Sequence, residues 1–187
     1  MRPARIVALS ALALGTSLVA SAAAAPRWSG TAQAGFVLAQ DSGLGAGGWL
    51  GLSHVVAPSW SVGGELGYTA LPGHGSVCAA EVGLDCPTGR DFRLASLAAV
   101  VTRRAARRPG AHLVGTLGLY DVVERAHFAR RPDSITHDWR PGLSLGIGVS
   151  GPGPVSPEFD LRWERVVGAA PEAATNAASF RFGVRVF

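Results

Sequence analysis

An all-β fold, an eight-stranded antiparallel transmembrane β-barrel in up-and-down meander order, is what this 187-residue chain predicts. Three observations carry that expectation. Apolar side chains recur at every second position through eight short segments, the periodicity of a strand and not of a helix. Clusters rich in Gly, Pro, Asn, Asp and Ser separate the segments. In several segments the face opposite the apolar one carries glycine or charge, which suits a crowded interior better than a surface facing water.

The first residues stand outside this pattern. Arg2 and Arg5 precede an apolar run over 6–20 and a small-residue stretch over 21–25. That order predicts a cleaved signal peptide over 1–25 and a single barrel domain over 26–187. Seventeen Arg and no Lys stand against thirteen acidic residues, and loss of Arg2 and Arg5 leaves fifteen against thirteen. A net charge near +2, with no aromatic and basic interleaving, excludes a nucleic-acid surface. An exported chain meets an oxidising compartment, so Cys78 and Cys86 are expected to form a local disulfide worth roughly 2–3 kcal/mol.

Strand one is expected over 31–39, with Ala32, Ala34, Phe36 and Leu38 opposite Thr31, Gln33 and Gly35. Glycine-rich 40–48 reads as a long connection. Strand two, 49–56, sets Leu50, Leu52 and Val56 against Trp49, Gly51 and Ser53, and a tight turn follows. Strand three, 60–70, alternates Trp60, Val62, Leu66 and Tyr68 with Ser61, Gly63, Glu65 and Gly67. In strand four, 92–102, Phe92 and Leu94 conflict in phase with Leu97, Ala99 and Val101, which a bulge near Ala95 and Ser96 would reconcile. Strand five, 111–122, places Leu113, Leu117 and Leu119 opposite Val114, Thr116, Gly118 and Tyr120. Polar 123–138 reads as a loop. Strand six, 139–150, is the clearest, with Leu143, Leu145, Ile147 and Val149 against Gly142, Ser144, Gly146 and Gly148. Strands seven and eight follow over 156–166 and 178–187.

Connections after the odd-numbered strands are longer than those after the even-numbered ones, an asymmetry of barrels whose two ends face different surroundings. The expected outward, lipid-facing set is Phe36, Leu66, Leu143, Leu145, Ile147, Phe159, Leu161, Trp163, Phe180 and Phe182. The expected interior polar network is Glu65, Arg140, Glu158, Asp160, Arg162, Glu164, Arg181 and Arg185, whose mixed signs permit the pairing that buried charges require. The rival allocation, apolar inside and polar outside, is that of a periplasmic or secreted lipocalin-like barrel or β-sandwich binding a small apolar ligand.

With exported start, eight segments, loop asymmetry and a final strand "ASFRFGVRVF", the chain resembles the small outer-membrane β-barrel family, the OmpX-like and OmpA membrane-domain-like proteins. The resemblance covers the whole mature chain. It implies residence in the outer membrane of a Gram-negative-type bacterium, contact with outer-membrane lipids and lipopolysaccharide, and delivery by the outer-membrane assembly machinery. That machinery reads a terminal aromatic in phase with the lipid-facing residues. Phe187 departs from this, falling in phase with Arg181, Gly183 and Arg185. Loops 71–90 and 123–138 are the surfaces open to an extracellular ligand.

Because the family includes lipid A-modifying enzymes, a hydrolase is a further alternative. Ser53 and His54 are strand neighbours and point to opposite faces, so they cannot form a nucleophile–base pair directly. His127 with Ser134 or Asp133, and His137 with Asp138, read as loop residues. No catalytic residue is expected. His74, Glu81 and Asp85 match no standard metal spacing, and no metal or cofactor is expected.

Overall fold

The computed structural model describes residues 28–40, 42–73, 87–105, 110–128, 130, 132–167 and 176–187. The expected signal peptide, and Cys78 and Cys86 with their expected disulfide, lie outside the described residues. Eight strands form: β1 (Trp28–Ala39), β2 (Gly43–Ala57), β3 (Trp60–Pro72), β4 (Pro87–Arg104), β5 (Ala111–Phe128), β6 (Ser134–Ser150), β7 (Val155–Val166) and β8 (Asn176–Val186). Each pairs antiparallel with its sequence neighbours, and β8 closes on β1 from Gly30↔Val186 to Ala39↔Ala177.

Closure is staggered. Registered partners lead from Gly30 through Leu52, Gly64, Ala99, Leu117, Leu143 and Arg165 to Asn176. The Asn176 carbonyl accepts the Gln40 amide at 2.8 Å, so the path returns to β1 ten residues beyond its start. Such a stagger tilts the strands and leaves an eight-stranded lumen that side chains can fill.

The pleat sorts side chains as the alternation predicts. Phe36, Leu66, Leu145, Ile147, Phe159, Leu161, Trp163, Phe180 and Phe182 point outward and are 43–61 % exposed, and Leu143 shares their face, half-buried. Glu65, Glu158, Asp160, Arg162, Arg181 and Arg185 are buried. Trp28 and Trp60 mark the lower end, where the β2–β3, β4–β5 and β6–β7 turns lie, and Tyr68 and Trp139 lie toward the upper end.

Three expectations about elements are corrected. β2 begins at Gly43, so Gly45, Gly47 and Gly48 belong to a strand and not to a long connection. A Cβ on Gly45 would lie 2.2 Å from the Ala70 carbonyl oxygen, so this glycine permits close backbone approach. β4 runs without a bulge at Ala95 and Ser96, because Phe92 points into the lumen. It packs there with Val37, Ala39, Trp49 and Leu71, and Leu94 lies against them. An apolar cluster thus occupies part of the upper lumen, a case that a strict polar-inside rule misses. Finally, β5 and β6 extend to Phe128 and from Ser134, so most of the polar 123–138 stretch is a paired hairpin rising beyond β7. A hairpin surrounded by water carries polar residues on both faces, so polarity there does not signal a loop.

Candidate functional site

The lumen is layered. At the lower mouth the inward positions are small and hydroxylated: Ser29, Ser61, Thr102 and Ser156 are buried, and Ser29 Oγ lies 2.8 Å from Ser53 Oγ. Above them lies a charged layer drawn from β3, β7 and β8. Above that, Trp49 and Phe92 on one side and Tyr120, Val122 and Val166 on the other form an apolar cap.

The charged layer follows from phase. On β7 the residues Glu158, Asp160, Arg162 and Glu164 share the inward face, and on β8 so do Ser179, Arg181 and Arg185. Their pairing is dense. Arg162 Nη1 donates to both Glu65 oxygens, at 2.9 and 3.1 Å, and Nη2 donates to Asp160 Oδ2 at 2.8 Å. Arg181 Nη1 donates to Glu65 Oε1 at 2.8 Å and Nη2 to Glu164 Oε1 at 2.5 Å. Arg185 Nη2 donates to Glu158 Oε1 at 2.6 Å. Glu65 therefore joins two guanidinium groups. Isolated, each of these ions would lose several kcal/mol to desolvation, and mutual pairing offsets that loss.

Of the expected network members, Arg140 stands apart. It faces the lumen near the upper end and pairs with Asp138, two residues away and exposed. Several residues were not foreseen. Gln33 Nε2 donates to Asp160 Oδ2 at 3.0 Å, and His112 Nε2 lies 2.8 Å from Asp160 Oδ1. Trp49 presents its ring to the Arg181 guanidinium at 3.9 Å. The alternation of β5 held the signal for His112, which shares a face with Val114 and Thr116.

Glycines make room for the long side chains. A Cβ on Gly67 would come within 2.6 Å of Trp49 Cδ1, and one on Gly146 within 2.6 Å of Arg162 Cγ. Gly67→Val is therefore expected to push Trp49 off Arg181 and destabilise the barrel by about 1–3 kcal/mol, the usual range for overpacking. Tryptophan emission and a denaturant titration of the folded protein check both effects.

Of the residues weighed for catalysis, His127 and Asp133 meet, whereas Ser53 and His54 diverge. Ser53 faces the lumen, whereas the His54 ring packs against Trp28 at a centroid separation of 4.8 Å with the planes tilted by 43°. His137 Nδ1 lies 3.6 Å from Asp121 Oδ1. His127, at the upper end of β5, has Asp91 Oδ2 2.9 Å from Nε2 and Asp133 Oδ2 2.9 Å from Nδ1. The hydrogen bond to Asp91, aided by Asp133, raises the His127 pKa above the ordinary 6.5. Stabilisation from this bridge is complete below that ordinary value and fades as pH rises through the raised one. Asp91→Asn is expected to move the His127 titration back down, as followed by ring-proton NMR.

No family model and no curated protein matches the chain. Solved structures do. A major outer membrane protein from Thermus thermophilus aligns with a TM-score of 0.60 at 15 % identity, covering 87 % of this chain and 99 % of that one. The fold is that of the outer-membrane β-barrels. Ail, the attachment invasion locus protein of Yersinia pestis, solved with the heparin analogue sucrose octasulfate, aligns at 0.56 and 16 % identity, covering 85 % of this chain and 99 % of its own. Neisserial surface protein A aligns at 0.55 and 14 %, covering 87 % and 99 %. What this chain shares with such outer-membrane barrels is architecture, a closed antiparallel meander of eight strands.

Proposed function

We propose that the chain is an integral outer-membrane barrel of a Gram-negative-type bacterium with a structural or surface-interaction role and no wide pore. The supporting observation is the direction of its side chains. Thirty-one large apolar residues are exposed among the described residues, and they ring the barrel. Soluble monomers rarely expose patches beyond a few hundred Å², whereas hydrocarbon rewards such a wall once every backbone group is paired in a closed sheet. A lipocalin-like protein would place Phe159 and Leu145 inside and Glu158 and Arg162 outside, the reverse of this arrangement.

The filled lumen argues against diffusion. Two voids within it measure about 20 and 30 Å³, each room for about one water molecule. The lower end faces the periplasm and the tall β4–β5–β6 extension faces out, where an extracellular ligand meets it. Delivery by the assembly machinery rests on the β8 strand. Phe187 there lies just past β8, its amide donating to Pro154 O at 2.9 Å and its ring under Arg104 at 5.3 Å.

Membrane fractionation followed by electrophoresis with and without heating tests this reading. The expected result is detergent-dependent solubility, a compact unheated band, and no solute flux in proteoliposomes. A protein released by salt or alkali with no heat-dependent mobility change would overturn it.

A further inference from the structure

We propose that His112, Glu158 and Asp160 form a binding site for one divalent transition-metal ion in the lower lumen. Each offers a ligand atom, and these atoms lie within 4.8 Å of one another. All three residues are buried, at 4 %, 2 % and 2 % exposure. Glu158 and Asp160 share β7, and His112, 46 and 48 positions before them, meets them only through strand register. His112 on β5 opposes Gly148 on β6, which in turn opposes Asp160 on β7. A Cβ on Gly148 would lie 2.0 Å from Asp160 Oδ1 and 2.4 Å from His112 Nε2, so the glycine lets the two side chains meet across an intervening strand.

Hydrogen bonding around the cluster prepares each donor. His112 Nδ1 lies 3.3 Å from the Gly110 carbonyl oxygen, so with the ring proton on Nδ1 its N–H donates there and the Nε2 lone pair turns toward the carboxylates. A ring held by a backbone carbonyl on its far nitrogen is the usual support of a metal-bound histidine. Nε2 lies 2.8 Å from Asp160 Oδ1 and 3.5 Å from Glu158 Oε1, a spacing that a proton bridges in the metal-free protein and that a metal ion taking the proton's place would bridge when bound. Gln33 and Arg162 hold Asp160 by Oδ2, which leaves Oδ1 for the cluster.

The independent sign is on Glu158. Its Oε2 is buried and has no partner among the described residues, while Oε1 is taken by Arg185. Glu158 also lines the internal void of about 30 Å³. An acceptor left unpaired in a low-dielectric interior is destabilising, most of all a charged one, and a bound cation removes that loss. One imidazole and two carboxylates suit Zn²⁺ and its first-row neighbours, with a fourth position left to water. His127, by contrast, has its two aspartates on opposite ring nitrogens, so their oxygens do not converge on one ion.

The test uses whole, untagged protein folded in detergent and titrated with Co²⁺ and with Zn²⁺. Expected results are visible d–d absorption saturating at one Co²⁺ per chain, and Zn²⁺-dependent NMR shifts at the His112 ring but not at His54 or His137. Loss of a supporting hydrogen bond weakens metal sites about 10–100-fold, so loss of a ligand in His112→Gln is expected to exceed about 100-fold. Glu158→Gln, which keeps side-chain volume, is expected to weaken binding as well, and His127→Gln to leave it unchanged. Each variant is first checked for the heat-dependent band. Failure of folded wild-type protein to bind either ion at one per chain overturns the proposal, as does undiminished binding in Glu158→Gln and His112→Gln. Neither outcome bears on membrane residence, which the fractionation experiment decides separately.

Discussion

Glu65→Ala is expected to destabilise the barrel by about 3–5 kcal/mol, the range for removing one partner of a buried ion pair. The size follows from what is left behind. Glu65 accepts two hydrogen bonds from Arg162 and one from Arg181, and both guanidinium groups are nearly inaccessible to water. Arg162 keeps Asp160 and Arg181 keeps Glu164, so the layer does not collapse, but two donors on Arg162 and Arg181 lose their acceptor. A urea titration of detergent-folded protein, read by the loss of the compact gel band, measures the effect. Adding Arg162→Met should recover part of the loss, since the second change removes one of the stranded charges. A single-mutant effect below about 1 kcal/mol, within the range of exposed pairs, would show that Glu65 is hydrated and not buried.

Leu145→Arg is expected to be similarly severe for a different reason. Leu145 sits midway along the β6 wall and is 61 % exposed. In hydrocarbon an arginine at mid-depth of a barrel costs about 2–4 kcal/mol. In water the same substitution on so exposed a residue would be nearly neutral. Its neighbour Ser144 faces inward and lies 2.7 Å from Thr116 Oγ1. Ser144→Ala removes one neutral hydrogen bond and is expected to cost only about 0.5–1.5 kcal/mol. Refolding yield and unfolding midpoint in lipid vesicles separate the two variants. Equal, small effects would place the Leu145 face in water.

Much of this architecture is legible in the bare chain because a strand's period of two survives in sequence. Leu143 to Val149 and Glu158 to Glu164 declare their faces without any knowledge of partners. Register is another matter, since it depends on which residues lie opposite. Nothing local says that Gly148 will sit between His112 and Asp160, or that Arg140 will lie above the charged layer. Glycine misled in one place for the same reason. Its usual role in turns suggested a connection over 40–48, whereas Gly45 and Gly47 serve the close packing of β2 against β3 and Trp49. Phe92 and Leu94 defied the polar-inside rule because an apolar cluster sits above the charged layer.

The seam between β8 and its neighbours carries a consequence for assembly. Arg181 and Arg185 come from β8, and the carboxylates of Glu158 and Glu164 that they meet come from β7. A seven-stave intermediate would hold surplus negative charge inside a half-open trough while also leaving two unpaired sheet edges. Docking β8 removes most of the surplus and shuts the seam in a single event. The electrostatics of the cavity thus penalise partial cylinders, so that insertion tends toward all or nothing.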